Sequence, residues 1–166
     1  MKYKLSIKIA CYLMLGMLAI GLYSYSQKNP AVLLRTEISP IDEETFMQLG
    51  SYEKNKSKDQ NNYQEVSFSL KVNYPNEIEN LEVRIPQYFS ELFGNDIYLG
   101  AKYKESNNKE KYQFIHEAEI LLYTGNVTNE EIRNILDEGI VNLSWVYEGE
   151  NIQQKYNIGD SVIFIK

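Results

Sequence analysis

The sequence predicts an all-β, mainly antiparallel sandwich of two sheets with one short helix, behind an apolar amino-terminal segment. Three observations predict it. Several runs alternate apolar and polar residues with period two, turn-forming residues separate them at short intervals, and one fully punctuated helix falls late in the chain. A helix packed on one antiparallel sheet is the alternative arrangement of the same elements.

The amino terminus is read first because it sets the compartment. Lys2, Lys4 and Lys8 precede an uncharged apolar run from Ile9 through Tyr25, the layout of a secretory signal or of a membrane anchor with its amino end in the cytoplasm. The run is near the lower limit of about 17 residues for a spanning helix. Ser24 and Ser26 offer small residues for cleavage, while Tyr23 and Tyr25 suit the interface of a retained helix. The expectation is a single-pass anchor or signal peptide over residues 1–29 and an extracytoplasmic domain over 30–166, with secretion after cleavage as the alternative.

Cys11 is the one cysteine, and it lies inside the apolar run, so the domain has neither disulfide nor thiolate ligand. Its roughly 137 residues make one ordinary core. Beyond residue 29 the chain carries 13 of its 17 basic residues and all 23 acidic ones, a net of about −10. Such a domain repels nucleic acid and anionic headgroups.

Ala31 to Ile38 reads as a strand ended by Pro40, and Pro40 to Leu49 as a helical turn or two with Asp42, Glu43 and Glu44 at its start. Residues 50–62 are a polar loop. Val66, Phe68, Leu70, Val72 and Tyr74 form the cleanest alternating run, followed by Leu81, Val83 and Ile85 up to Pro86. Gln87 to Gly94 suits a helical turn, and Ile97 to Tyr103 another strand, with the polar cluster Glu105 to Lys111 as its turn. Tyr112, Phe114, His116, Ala118, Ile120 and Leu122 share one face of a long strand. Val127 to Gly139 is the helix: Thr128 caps it, Glu131 completes a capping box, and Gly139 is placed as a left-handed stop. Val141, Leu143, Trp145 and Tyr147 then pair across a glycine turn with Ile152, Gln154, Tyr156 and Ile158. Val162 to Ile165 is apolar on both sides, which suits an interior strand or an extension of the preceding one, so that the chain ends in its own core.

In strand number and patterning the domain resembles an immunoglobulin-like or fibronectin-type sandwich with a helical crossover before its penultimate hairpin. The resemblance rests on no family motif, and the antibody cysteine pair is absent.

Candidate chemistry is sparse. His116 is the lone histidine and sits on an apolar strand face, where a core or boundary imidazole with one satisfied nitrogen is expected. The acid pairs Glu117/Glu119, Glu130/Glu131 and Asp137/Glu138 read as solvated or dipole-stabilised carboxylates, not as a glycosidase pair. No phosphate loop, calcium loop or zinc spacing occurs, so no catalytic residue, cofactor or metal ligand is assigned. Ten of the 14 tyrosines follow the leader, and Tyr98, Tyr103, Tyr123 and Tyr147 are the candidate contacts for a protein or glycan of the cell envelope. The function expected is a membrane-tethered binding or scaffolding domain. An envelope hydrolase or hydrolase inhibitor with an acidic cleft, or a sensory domain reporting through its anchor, are the alternatives.

Overall fold

The computed structural model describes residues 28–50, 56–86 and 89–165. Residues 1–27 of the leader, and with them both the anchor and the signal-peptide expectation, lie outside the described residues. Among those residues no helix is long and apolar enough to cross a membrane.

Strands dominate, as the alternation predicts: β1 (Ala31–Pro40), β2 (Tyr63–Asn73), β3 (Glu79–Arg84), β4 (Tyr98–Asn108), β5 (Gln113–Tyr123), β6 (Ile140–Tyr147), β7 (Glu150–Asn157) and β8 (Val162–Phe164). The helices between them are short: α1 (Glu43–Gln48), α2 (Phe89–Ile97) and α3 (Asn129–Asp137). The five-stranded sheet runs β4-β5-β2-β1-β8 and the three-stranded sheet β3-β6-β7. Neighbouring strands are antiparallel except β1 and β8, which are parallel.

One apolar core joins the two inner faces. Val66, Phe68 and Leu70 of β2 and Ala118, Ile120 and Leu122 of β5 meet Val141, Leu143 and Trp145 of β6, while Phe89 and Phe93 of α2 and Ile132 and Leu136 of α3 complete it. Each such side chain contributes about 1.5–3 kcal/mol when fully buried, so packing suffices for a domain without cross-links. A second, smaller cluster lies on the outer face of the larger sheet. There the Phe46 ring of α1 covers Tyr63, which is fully buried and 5.6 Å away between ring centres.

Local rules account for the element ends. The Thr128 hydroxyl accepts from the Glu131 amide and the Glu131 carboxylate accepts from the Thr128 amide, the reciprocal box the sequence encodes. Asp42 caps α1 by accepting from the Thr45 amide. Glu148 and Gly149, both at positive φ (51° and 81°), make the tight turn between β6 and β7.

Three expectations are corrected. Gly139 is not a left-handed stop: its φ is not positive, and α3 ends on a right-handed Glu138. Glycine stands there because an added Cβ would lie 2.9 Å from Ile158 Cδ1 and 3.1 Å from the Leu136 carbonyl oxygen. The carboxy-terminal run is neither interior nor an extension of β7. A 3₁₀ turn at Gly159–Ser161 carries the chain across to the larger sheet, where β8 is an edge strand beside β1 and Ile163 and Ile165 remain 51% and 45% exposed. Glu105 to Asn108, read as turn, continue β4, and the turn occupies residues 109–112. An edge strand can be polar on both faces, because water solvates whichever face the opposite sheet does not cover.

Candidate functional site: the open flank between the sheets

Among the described residues each sheet ends on one flank in a strand with a bare edge, since β3 pairs there only with β6 and β4 only with β5. The alternation of β4 turns Tyr103, Glu105 and Asn107 inward, level with Ala118, His116 and Phe114 of β5. The three-stranded sheet is too narrow to cover them, and β4 is exposed from Lys102 to Asn107. Two depressions therefore follow one another along the seam. The first, about 400 Å³, is lined by Val83, Arg84, Ile85, Pro86, Glu105 and His116. The second, about 530 Å³, is walled by Tyr74, Ile78, Asn80, Leu81, Asn107 and Tyr112, with Glu82 and Lys109 at its sides.

His116 is the inner wall of the first depression. Its side chain is 13% exposed, and Nδ1 lies 3.2 Å from Glu105 Oε2. The imidazole packs between the rings of Phe68 and Tyr103, each 6.1 Å from it by centroid. A carboxylate on Nδ1 leaves the ring fixed in orientation, so the pair offers a directed donor or acceptor at the mouth of the cleft. The Tyr103 hydroxyl is pushed up to about 12, first by loss of water and then by the neighbouring Tyr98 hydroxyl. It is a neutral hydrogen-bonding group at any physiological pH.

The second depression holds the backbone outliers. Among the described residues, non-glycine positive φ occurs at Asn80 (51°), Tyr112 (48°) and Glu148 (51°). Glu148 belongs to its tight turn with Gly149. Asn80 and Tyr112 both face the cleft, and a left-handed non-glycine residue costs about 1–2 kcal/mol, less for asparagine. Tyr112 closes the β4–β5 turn, its amide donating to the Lys109 carbonyl at 3.3 Å, at a position glycine or asparagine would fill without strain. Its ring stands edge-on to Tyr74, 5.9 Å away at 86°, and the residue as a whole remains 42% exposed.

The four tyrosines singled out from sequence are not all brought together. Tyr98 and Tyr103 are neighbours on β4, and Tyr103, 48% exposed, is the one that borders the cleft over His116. Tyr123 lies on the outer face of the larger sheet, 5.5 Å from the Tyr63 ring and under the Lys56 ammonium. Tyr147 ends β6, where burial and the charges of Glu148 and Glu77 push its hydroxyl up. Of the acid pairs, Glu117 and Glu119 meet Lys104 and Lys102 on the outer face, at 3.3 and 4.0 Å. Glu131 serves the α3 cap, and the Thr128 amide and hydroxyl hold its carboxyl below the usual range.

The sequence reading passed over another acid pair. Glu65 stands opposite Leu121 and Glu119 opposite Ser67, so the two carboxylates are diagonal neighbours on the outer face. With Thr45, Lys102 and Leu121 they line a depression of about 300 Å³. Burial, and then the Glu119 charge, raise the Glu65 carboxyl. Among the described residues no group of three or more His, Cys, Asp or Glu is placed to hold a metal ion. The seam residues Asn80, Glu105 and Asn107 were missed because no local spacing signals which strands end up as facing edges.

The chain matches no family model, and no curated protein matches it significantly.

Proposed function

We propose that this chain is a membrane-tethered, extracytoplasmic domain that binds or scaffolds another component of the cell envelope, without catalysis, and that it does so along the β3/β4 seam. The observation that carries the reading is the pair of strand edges, bare among the described residues, that face one cleft, with Tyr112, Asn80, Asn107, Arg84 and the His116–Glu105 pair lining it and Tyr103 packed on His116. Mixed aromatic, amide and charged linings around a concave surface are what recognition sites are made of. The basic-then-apolar leader supports export and tethering.

The immunoglobulin-like reading belongs with this proposal. Lettered in order from A, the first seven strands fall as D-E-B-A in one sheet and C-F-G in the other, the grouping of a constant-type immunoglobulin domain, with β8 added beside the first strand. Variable-type domains add strands next to strand C, which here is the bare edge of β3.

A photoreactive residue at position 105, with one at the exposed Asn151 of β7 as control, tests the site in intact membranes. A specific adduct from 105 alone is expected; equal labelling from both positions, or none, overturns the seam. Recovery of the full-length chain in the membrane pellet supports the tether, and a shortened soluble product overturns it.

A second reading, an envelope hydrolase or hydrolase inhibitor with an acidic cleft, is favoured by the raised Glu65 beside Glu119. It requires cell-wall lysis, or inhibition of lysis, by the purified chain that Glu65→Gln removes.

A further inference from the structure

We infer that the second depression of the seam is a saccharide subsite, with Tyr112 as its stacking platform and the amides of Asn80 and Asn107 as its hydrogen-bonding rim. The inference rests on the reading of the seam as a binding surface and names what one end of it takes.

Three features point to a sugar. The first is Tyr112. A bulky aromatic residue occupies a left-handed turn position that favours glycine or asparagine, and the residue stays 42% exposed instead of entering the core. Tyr74 meets it edge-on, 5.9 Å away at 86°, which braces the ring without stacking on it. A flat, braced, half-exposed ring suits the apolar face of a pyranose.

The second is the polar rim. Asn80 and Asn107 lie on opposite strands bounding the same cavity of about 530 Å³, and each amide both donates and accepts. That dual capacity matches hydroxyls and acetamido groups, which also do both. Glu82 and Lys109 add one acceptor and one donor at the sides. Ile78 and Leu81 contribute apolar wall.

The third feature argues against a peptide at this end. Asn80 has φ 51°, and the β3–β6 register shifts between Glu79 and Glu82, so β3 is not continuously extended here. An incoming strand could not carry its ladder across that break. Recognition on the β3 side therefore falls to side chains, which favours there a ligand that displays hydroxyls over one that displays a backbone.

Calorimetric titration of the full-length chain with the β-1,4-linked tetramer of N-acetylglucosamine and with cellotetraose tests the inference. Saturable heat with at least one of them is expected. Tyr112→Gly is expected to weaken it about tenfold or more, while the thermal midpoint stays the same or rises, because glycine relieves the left-handed strain. If that variant loses the fold with the Tyr74 contact, Asn107→Ala on the exposed edge strand serves in its place and is expected to lower affinity at unchanged midpoint. No heat from either sugar at millimolar concentration, or undiminished binding by folded Tyr112→Gly or Asn107→Ala, overturns the subsite. A protein adduct at position 105 without sugar binding overturns it too, yet leaves the seam standing as a protein-binding surface. Failure of both experiments removes the seam as well.

Discussion

The indole nitrogen of Trp145 donates to the carbonyl oxygen of Lys28 at 3.0 Å, across 117 positions of sequence. Trp145 is 2% exposed at the heart of β6, and Pro30 beside that segment is buried. Among the described residues the core thus already holds the backbone of Lys28, two residues before the boundary at residue 30 read from sequence.

That contact yields two linked expectations. Trp145→Ala destabilises the domain by about 3–5 kcal/mol, the cost of emptying a large buried site. Replacing Lys28, Asn29 and Pro30 by a Gly-Ser-Gly linker keeps the backbone carbonyl that accepts from Trp145 but removes buried Pro30 and loosens the segment that aims that carbonyl, and costs about 0.5–1.5 kcal/mol, the net worth of one hydrogen bond. Urea titration followed by far-ultraviolet circular dichroism measures both; a shift near zero in the first shows that the Trp145 face is not core.

Gly159→Ala is expected to destabilise the chain by about 1–3 kcal/mol. Gly159 is buried, and an added Cβ would stand 3.0 Å from Asp137 Cα and closer still to its carboxylate. The Asn157 side chain binds both the Asp137 carbonyl and the Gly159 amide at 2.8 and 2.7 Å, so the turn has little room to yield. Thermal unfolding checks this, and an unchanged midpoint shows that α3 can move away.

Thr128→Ala removes the hydroxyl that accepts from the Glu131 amide at 3.2 Å and opens the reciprocal box. The expected loss is about 0.5–2 kcal/mol, since Ile132 and Leu136 still hold α3 to the core. Amide hydrogen exchange localises it: protection falls in the first turn of α3 and stays in β2 and β5.

Glu65 sets a pH dependence of definite sign. Burial first, and Glu119 second, raise its carboxyl above the usual 4.5. Below 4.5 both folded and unfolded chains carry the proton, and Glu65 exerts no penalty. Above the raised folded value the charge is present in both states and opposes the fold. Glu65→Gln therefore gains stability at neutral pH, and the gain vanishes as the pH falls through this window. Asp42 and Glu131, lowered by their caps, act in the opposite sense, so the difference between variant and parent chain is the quantity to follow. Urea midpoints at neutral pH and at about pH 4 give that difference. A larger gain at the lower pH would reverse the sign argued here.

Sequence alone determined most of the strands, though not the far half of β4 or the place of β8, together with the α3 helix and its Thr128/Glu131 box, the buried stripe through Trp145, and the absence of cysteine from the domain. These follow from period-two and period-3.6 patterning and from capping, which act between residues near each other in the chain. Tertiary structure alone decided which strands became edges. Whether Glu105 and Asn107 are turn or cleft wall depends on a three-stranded sheet stopping short of a five-stranded one, and nothing within ten residues of them encodes that. The same holds for Gly139 and Gly159, whose lack of a side chain answers to Ile158 and Asp137 packed from another element. Side-chain periodicity reports the local environment, whereas the bare flank and its cleft come from how unequal sheets are stacked.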